Sequence, residues 1–350
     1  MTIREKLGDK LYDEVTTQSV IGNAASGLSG KNTLRAAFIG GSVTFGYCPG
    51  SEGSTAAFPE FVGGYLSEKY NSSEILNLGI SGTTSLMGLV TTELRVREFA
   101  PDIVFVEYAI NDEMSRQGAE CFESLVRKLL TLESRPVVVP VCVCTDKGHS
   151  CVPMIREICS HYGLLCVDIK ESVYPLFSKE LEWSDYSVDE GHPHSEGSRL
   201  IADCVIKAIE KLSLLPHSNI TLPLPKFSAR LEGLRICNEY KTDFERRQEP
   251  LFCFDNCLEA SGRCSLTAEL ECSYAVAVYI SSNDKGYGSL EAYEGSEKLC
   301  ELSGYSLFGW YNPVIQHIIN DKEKTRHSVT MKLSDSDSGK KFRLICVAYC

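Results

Sequence analysis

Between residues 34 and 212, short apolar runs alternate with segments whose apolar positions recur every three to four residues. The runs at 34–39, 74–78, 102–108, 136–144 and 164–168 are nearly continuous in Val, Ile, Leu and Phe. A strand wetted on one face alternates apolar and polar positions, whereas an unbroken run marks a parallel strand covered on both faces. The stretches between them, 59–70, 85–99, 121–132, 152–162 and 195–212, carry helical periodicity. Five strands alternating with helices predict a three-layer α/β/α sandwich around a parallel five-stranded sheet. Pro101 and Pro136 stand at or before strand starts, as expected where a helix gives way to a strand.

The texture changes after residue 214. Pro216, Pro223 and Pro225 interrupt a stretch too irregular for a helix, so 215–229 is expected to be a linker. Beyond it, period-two alternation appears at 274–280, 327–333 and 342–349. Turn signals separate these runs at Asn283-Asp284, Lys285-Gly286 and 335–339, and predict a C-terminal antiparallel β-sandwich over 230–350. The pattern thus divides the chain into an N-terminal segment (1–33), an α/β domain (34–214), the linker (215–229) and the β domain (230–350). The N-terminal segment reads as a helix and a Gly/Ser-rich loop packed on one of the domains.

Composition narrows the function. Of the 350 residues, 43% are hydrophobic and 23% charged, which is ordinary for a globular protein with a sizeable core. The net charge of -12 and the lack of any Lys/Arg run argue against a nucleic-acid binder. A neutral small-molecule or oligosaccharide substrate fits best. Residues 1–15 are charged and lack the apolar core of a signal peptide, and no run approaches the length of a membrane span. A cytoplasmic protein without a membrane partner is therefore expected. The sixteen cysteines are scattered, several in apolar runs, and read as reduced, buried thiols. Cys253, Cys257, Cys264 and Cys272 lack the paired C-x-x-C knuckles and nearby His of a zinc site.

Four short blocks carry the candidate chemistry, each at a predicted strand end or loop where open α/β sheets gather functional groups. Gly40-Gly41-Ser42 follows the first strand; the Gly pair allows a sharp turn that presents Ser42 at the rim of the sheet. Alone, such a Ser is as readily a turn or capping residue. Asp189 and His192 lie three apart on a segment stiffened by Gly191 and Pro193. That spacing lets a carboxylate accept from Nδ1 and fix the imidazole tautomer needed for a general base. His194 and Asp185 lie close enough to be rival assignments. Gly82, in Asn77-Leu78-Gly79-Ile80-Ser81-Gly82, and Asn111, in Ala109-Ile110-Asn111-Asp112, could each be a turn residue; together with Ser42 and His192 they read as oxyanion donors.

In this order and spacing the blocks resemble the SGNH hydrolase family, the GDSL-type esterases, over residues 34–212. The resemblance implies a flavodoxin-like sheet and gives Ser42 as nucleophile, with its own N–H, Gly82 N–H and the Asn111 side chain as the oxyanion hole. It gives His192 as base, oriented by Asp189, and needs no metal or organic cofactor. Two positions depart from the family pattern: Gly41 stands where Asp is usual, and Ala109 where Gly is usual. The Gly-Gly-Ser variant is similar to that of branches acting on acetylated carbohydrates.

Residues 230–350 resemble the jelly-roll, carbohydrate-binding-like modules attached to some SGNH acetylesterases. Sugar rings stack on aromatic side chains. Trp310 and Tyr311, in an aromatic segment over 305–311, are therefore candidate substrate contacts, expected near Ser42. The combined expectation is a serine esterase that removes O-acetyl groups from a sugar or oligosaccharide through an acyl-enzyme. The alternatives are a lysophospholipase or thioesterase of the same fold, and a catalytically silent carbohydrate-binding protein.

Overall fold

Strands β1 (Val20–Ile21), β2 (Thr33–Gly40), β3 (Ser72–Gly79), β4 (Ile103–Glu107), β5 (Val137–Cys142) and β6 (Cys166–Asp168) form one sheet in the order β1-β6-β5-β4-β2-β3. The computed structural model from which this is taken describes residues 1–49, 56–337 and 339–350; Ser338, in the turn expected at 335–339, lies outside them. Five strands are parallel, as the apolar runs predict, and β1 adds an antiparallel edge beside β6. That edge falls in the N-terminal segment, which also supplies helix α1 (Ile3–Gln18), opened by a capping box between Thr2 and Glu5. A two-residue strand has no period to read, which is why the sequence left it unassigned.

The central strands are buried on both faces. Ala36 and Phe38 of β2 join a core with Ile3, Leu7 and Val15 of α1, with α3 (Phe58–Lys69) and with α9 (Ser195–Ser213). Phe38 stacks on Phe105 of β4 at 4.8 Å and meets Phe58 of α3 edge-on at 5.7 Å. Such pairs contribute about 1 kcal/mol beyond area burial. Ala37 and Ile39, equally buried, face the opposite layer. That layer holds α4 (Ser85–Thr91), α6 (Arg116–Leu130) and α7 (Val152–Tyr162). Short helices complete the chain order: α2 (Ser42–Phe45), α5 (Arg97–Phe99) and α8 (Ile169–Ser172). The single helix expected over 85–99 is broken into α4, a π turn at Thr92–Val96 and α5. The Thr91 and Thr92 hydroxyls both donate to the Gly88 carbonyl, competing with the backbone ladder at the point where it widens.

The chain divides into two compact units, Met1–Ala229 and Arg230–Cys350. In the second, the strands are β7 (Arg235–Ile236), β8 (Lys241–Thr242), β9 (Glu245–Leu251), β10 (Phe254–Ser261), β11 (Ser265–Ser282), β12 (Ser289–Glu294), β13 (Glu297–Ser303), β14 (Trp310–Leu333) and β15 (Lys341–Tyr349). Their ladders are all antiparallel, and the long strands β11 and β14 pair along most of their length through several register shifts. Leu266, Ala268, Leu270 and Cys272 of β11 alternate inward onto a core with Leu290, Met331 and Phe342.

The Pro-interrupted stretch is irregular, and the first unit holds it through Glu123 of α6. This fully buried carboxylate accepts from Lys226 N–H at 2.5 Å, Phe227 N–H at 2.6 Å, Ser228 N–H at 2.8 Å and the Tyr162 hydroxyl at 2.6 Å. Burial pushes the Glu123 carboxyl up, but these four donors outweigh it and hold it below the usual glutamate range. A carboxyl depressed in the folded state stabilises above its unfolded value and loses that contribution as pH falls through the folded value. Glu123→Ala is expected to cost about 3 kcal/mol in denaturant unfolding and to speed amide exchange at Lys226, Phe227 and Ser228. Unchanged exchange at these amides would contradict the assignment.

Candidate active site

Three neighbouring strand ends converge where the sheet changes direction. From β2 the chain passes to β3 on one side and then crosses to β4 on the other, so the crevice above β2 is a topological switch point. Gly40 is level with Gly79 and with Glu107, and Ile80 N–H donates to Gly40 O at 3.0 Å. Ser42, Gly82 and Asn111 therefore leave adjacent ends of the same three strands. Ser42 opens the short helix α2, where a backbone N–H has no intrahelical acceptor.

The His segment is closed on itself. Asp189 Oδ1 accepts from Gly191 N–H at 2.9 Å and His192 N–H at 2.8 Å, while Oδ2 meets His192 Nδ1 at 2.7 Å. The Ser187 hydroxyl bonds to the carbonyls of Asp189 (3.1 Å) and His192 (2.8 Å), and Trp183 Nε1 donates to Asp189 O at 2.6 Å. One carboxylate thus shapes the loop with one oxygen and orients the imidazole with the other. Burial raises the Asp189 carboxyl, but the donors from Gly191 and His192 outweigh it and hold it below the usual aspartate range. An ionised carboxylate can only accept, so Nδ1 carries the proton and Nε2 is left as acceptor. Nε2 lies 3.0 Å from Ser42 Oγ. The Tyr47 ring stands edge-on to the imidazole at 4.9 Å. A Ser hydroxyl, an imidazole and a carboxylate in this chain of bonds can take a proton from the hydroxyl as it attacks a carbonyl.

Asn111 and Gly41 fit each other. A Cβ at Gly41 would stand 2.5 Å from Asn111 Oδ1 and 3.1 Å from Nδ2, so the amide sits where any side chain at position 41 would be. The glycine leaves that space to the amide. Gly82 has φ +72°, and a Cβ there would meet nothing within 4 Å among the described residues. Glycine is favoured by the backbone at that point, and its surroundings are open.

Two buried carboxyls underlie the same strand ends. Glu107 closes β4, is fully buried, and accepts from the Thr44 hydroxyl at 3.1 Å; burial pushes it up to about 8. Asp112, next to Asn111, accepts from Ser85 N–H at 2.9 Å, and burial pushes it up to about 6. Neither was singled out from sequence, although a lone Glu ending an apolar strand was a readable signal.

The rival residues go elsewhere. His194 caps α9, accepting from Glu196 N–H at 3.1 Å through Nδ1. Asp185 pairs with Lys6 at 2.5 Å. Trp310 is 50% exposed and meets Phe252 edge-on at 5.9 Å. The Tyr311 hydroxyl donates to Glu249 at 2.7 Å and accepts from Arg343, so that group is occupied within the second unit. None of the sixteen cysteines is joined in a disulfide. Among the described residues no group of three or more His, Cys, Asp or Glu side chains is placed to hold a metal ion, those around Cys253, Cys257, Cys264 and Cys272 included. No helix among them is long and apolar enough to cross a membrane.

Residues 38–200 match the GDSL-like Lipase/Acylhydrolase family. The chain is 25% identical over 184 residues to thioesterase 1/protease 1/lysophospholipase L1 of Escherichia coli strain K12, covering 50% of this chain and 82% of that protein. The crystal structure of a two-domain esterase (CEX) active on acetylated mannans superposes with a TM-score of 0.78, at 21% identity, over 99% of this chain and 95% of the other. The same esterase co-crystallised with mannopentaose gives 0.78 at 22% identity, over the same shares of the two chains.

The contact between positions 41 and 111 gives a direct test. Gly41→Ala is expected to displace the Asn111 amide and lower kcat on an ester substrate about a hundredfold, with KM moving little. A variant with unaltered kcat would show that the amide does not serve the reaction.

Proposed function

The chain belongs, over residues 38–200, to the GDSL-like lipase/acylhydrolase family and is a carboxylic ester hydrolase; from this premise we propose that it is a serine esterase that removes O-acetyl groups from a sugar or oligosaccharide. The observation that carries the reading is the unbroken series Asp189–His192–Ser42, with bonds of 2.7 and 3.0 Å. Ser42 Oγ attacks the ester carbonyl while His192 Nε2 takes its proton. Ser42 N–H, Gly82 N–H and the Asn111 amide receive the oxyanion. His192 then returns the proton to the departing sugar hydroxyl, and the acetyl-enzyme is hydrolysed by a water that the same imidazole activates. No step calls for a metal or organic cofactor.

The substrate class rests on likeness of fold to an esterase active on acetylated mannans, a match that spans both units. The neutral substrate favoured by the net charge agrees with it. Within the second unit, Trp310 offers a half-exposed ring on which a sugar face can stack, with Tyr311 beside it in sequence. A second reading, hydrolysis of long-chain acyl esters or thioesters, is favoured by the likeness to the E. coli thioesterase/lysophospholipase.

A series of nitrophenyl esters of rising acyl length separates the two. Acetyl is expected to be the preferred acyl group, and Ser42→Ala is expected to lose turnover by several orders of magnitude. Preference for octanoyl would favour the second reading. Full turnover in Ser42→Ala would refute the mechanism.

A further inference from the structure

A buried carboxyl that the reaction does not use lies directly beneath the nucleophile. Glu107 stands level with Gly40 on the neighbouring strand, and its side chain extends under the turn that carries Ser42. Its backbone carbonyl accepts from Gly41 N–H at 3.2 Å, and its Oε2 accepts from the Thr44 hydroxyl at 3.1 Å. The contact is closely fitted: Thr44 is fully buried, and a Cβ at Gly40 would overlap its hydroxyl. The turn from Gly41 to Thr44 is thus tied to β4 by both the backbone and the side chain of one residue. Four positions further along the same chain is Asn111. A single side chain therefore fixes the strand that leads to one oxyanion donor against the turn that holds another.

The groups facing Glu107 decide its protonation. From α2 they are the N–H groups of Gly41 and Thr44 and the Thr44 hydroxyl, all neutral. From the turn after β4 it is Asp112, a second buried acid whose charge opposes that of Glu107. From the segment before α9 it is Tyr186, a fully buried neutral phenol. No Lys or Arg pairs with Glu107 among the described residues, and its Oε1 has no hydrogen-bond partner among them. A carboxylate without a counter-cation in an unexposed site is costly, whereas the neutral acid is tolerated.

We propose that Glu107 is a positioning residue of this esterase that works as the neutral acid, holding the Ser42 turn in register with the strand that leads to Asn111. Its ionisation places a negative charge below the site where the oxyanion forms, which opposes the transition state. Activity therefore declines at alkaline pH through Glu107, near the value of about 8 to which burial raises it. The inference rests on the reading of Ser42 as the nucleophile.

The test measures acetate release from an acetylated oligosaccharide across pH, for the unaltered protein, Glu107→Leu, Glu107→Gln and Ser42→Ala. Glu107→Leu is expected to lower kcat roughly 10- to 100-fold with KM little moved, because the turn loses its support. Glu107→Gln keeps an acceptor for Thr44 without a titrating group, so it should recover most of that loss and abolish the alkaline decline. The infrared carbonyl band of a protonated buried carboxyl should be present at neutral pH, vanish on alkalinisation and be missing from Glu107→Gln. An alkaline decline unchanged in Glu107→Gln, or the absence of that band, overturns the role of Glu107 while leaving the serine mechanism standing. Full turnover in Ser42→Ala overturns both.

Discussion

The carboxylate of Asp189 has two tasks, and the arrangement of the site follows from its doing both. One oxygen draws in the N–H groups of Gly191 and His192 and so gives the loop its shape. The other takes the Nδ1 proton of the imidazole that this loop carries. Because the same group sets backbone and ring, His192 has little freedom to turn, and Nε2 is left as an acceptor aimed at Ser42. Ser187 and Trp183 hold the loop from the carbonyl side and complete its closure. An imidazole aimed only by its own rotamer would lose orientation with each fluctuation of the loop.

The remainder of the site depends on how closely strand ends approach one another at the switch point. The missing side chain at position 41 is the space that the Asn111 amide occupies. The Gly-Gly-Ser turn is thus packed directly against Asn111 and lacks the carboxyl of the Gly-Asp-Ser pattern it resembles. A carboxyl still lies beneath the turn, but it comes from the adjacent strand as Glu107. Two buried acids, Glu107 and Asp112, tie β4 and its following turn to the segments leading from Ser42 and Gly82. Buried polar groups of this kind are costly individually, and their grouping around one set of donors marks where precise geometry matters.

Much of this was legible in the sequence for a specific reason. Parallel strands covered on both faces produce apolar runs that periodicity detects, and such sheets gather functional groups at their carboxyl ends, so order and spacing singled out Ser42, Gly82, Asn111, Asp189 and His192 as candidates, of which Ser42, His192 and Asp189 lie in one chain of bonds. The edge strand at Val20–Ile21 was not legible, because two residues show no alternation. Nor was the π turn at Thr92–Val96, which keeps the apolar face of a helix while changing its ladder. The full length of β11 goes beyond the run expected at 274–280, although Leu266, Ala268, Leu270 and Cys272 alternate with Thr267, Glu269 and Glu271 in a readable period of two. His194 and His192 could be separated only by their partners, a helix end for one and a carboxylate for the other. Trp183 meets Asp189 through a bend that no spacing rule anticipates.

The central claim is that acyl groups pass through the hydroxyl at position 42, and trapping the intermediate tests it without reliance on variants. The protein is mixed with an activated acetyl ester, quenched in acid within the first turnover, digested and read by mass spectrometry. The account requires one acetyl group per chain on the peptide that begins the turn after β2, attached to Ser42. Acetate release with that peptide unmodified, or acetyl found at another side chain, would contradict it.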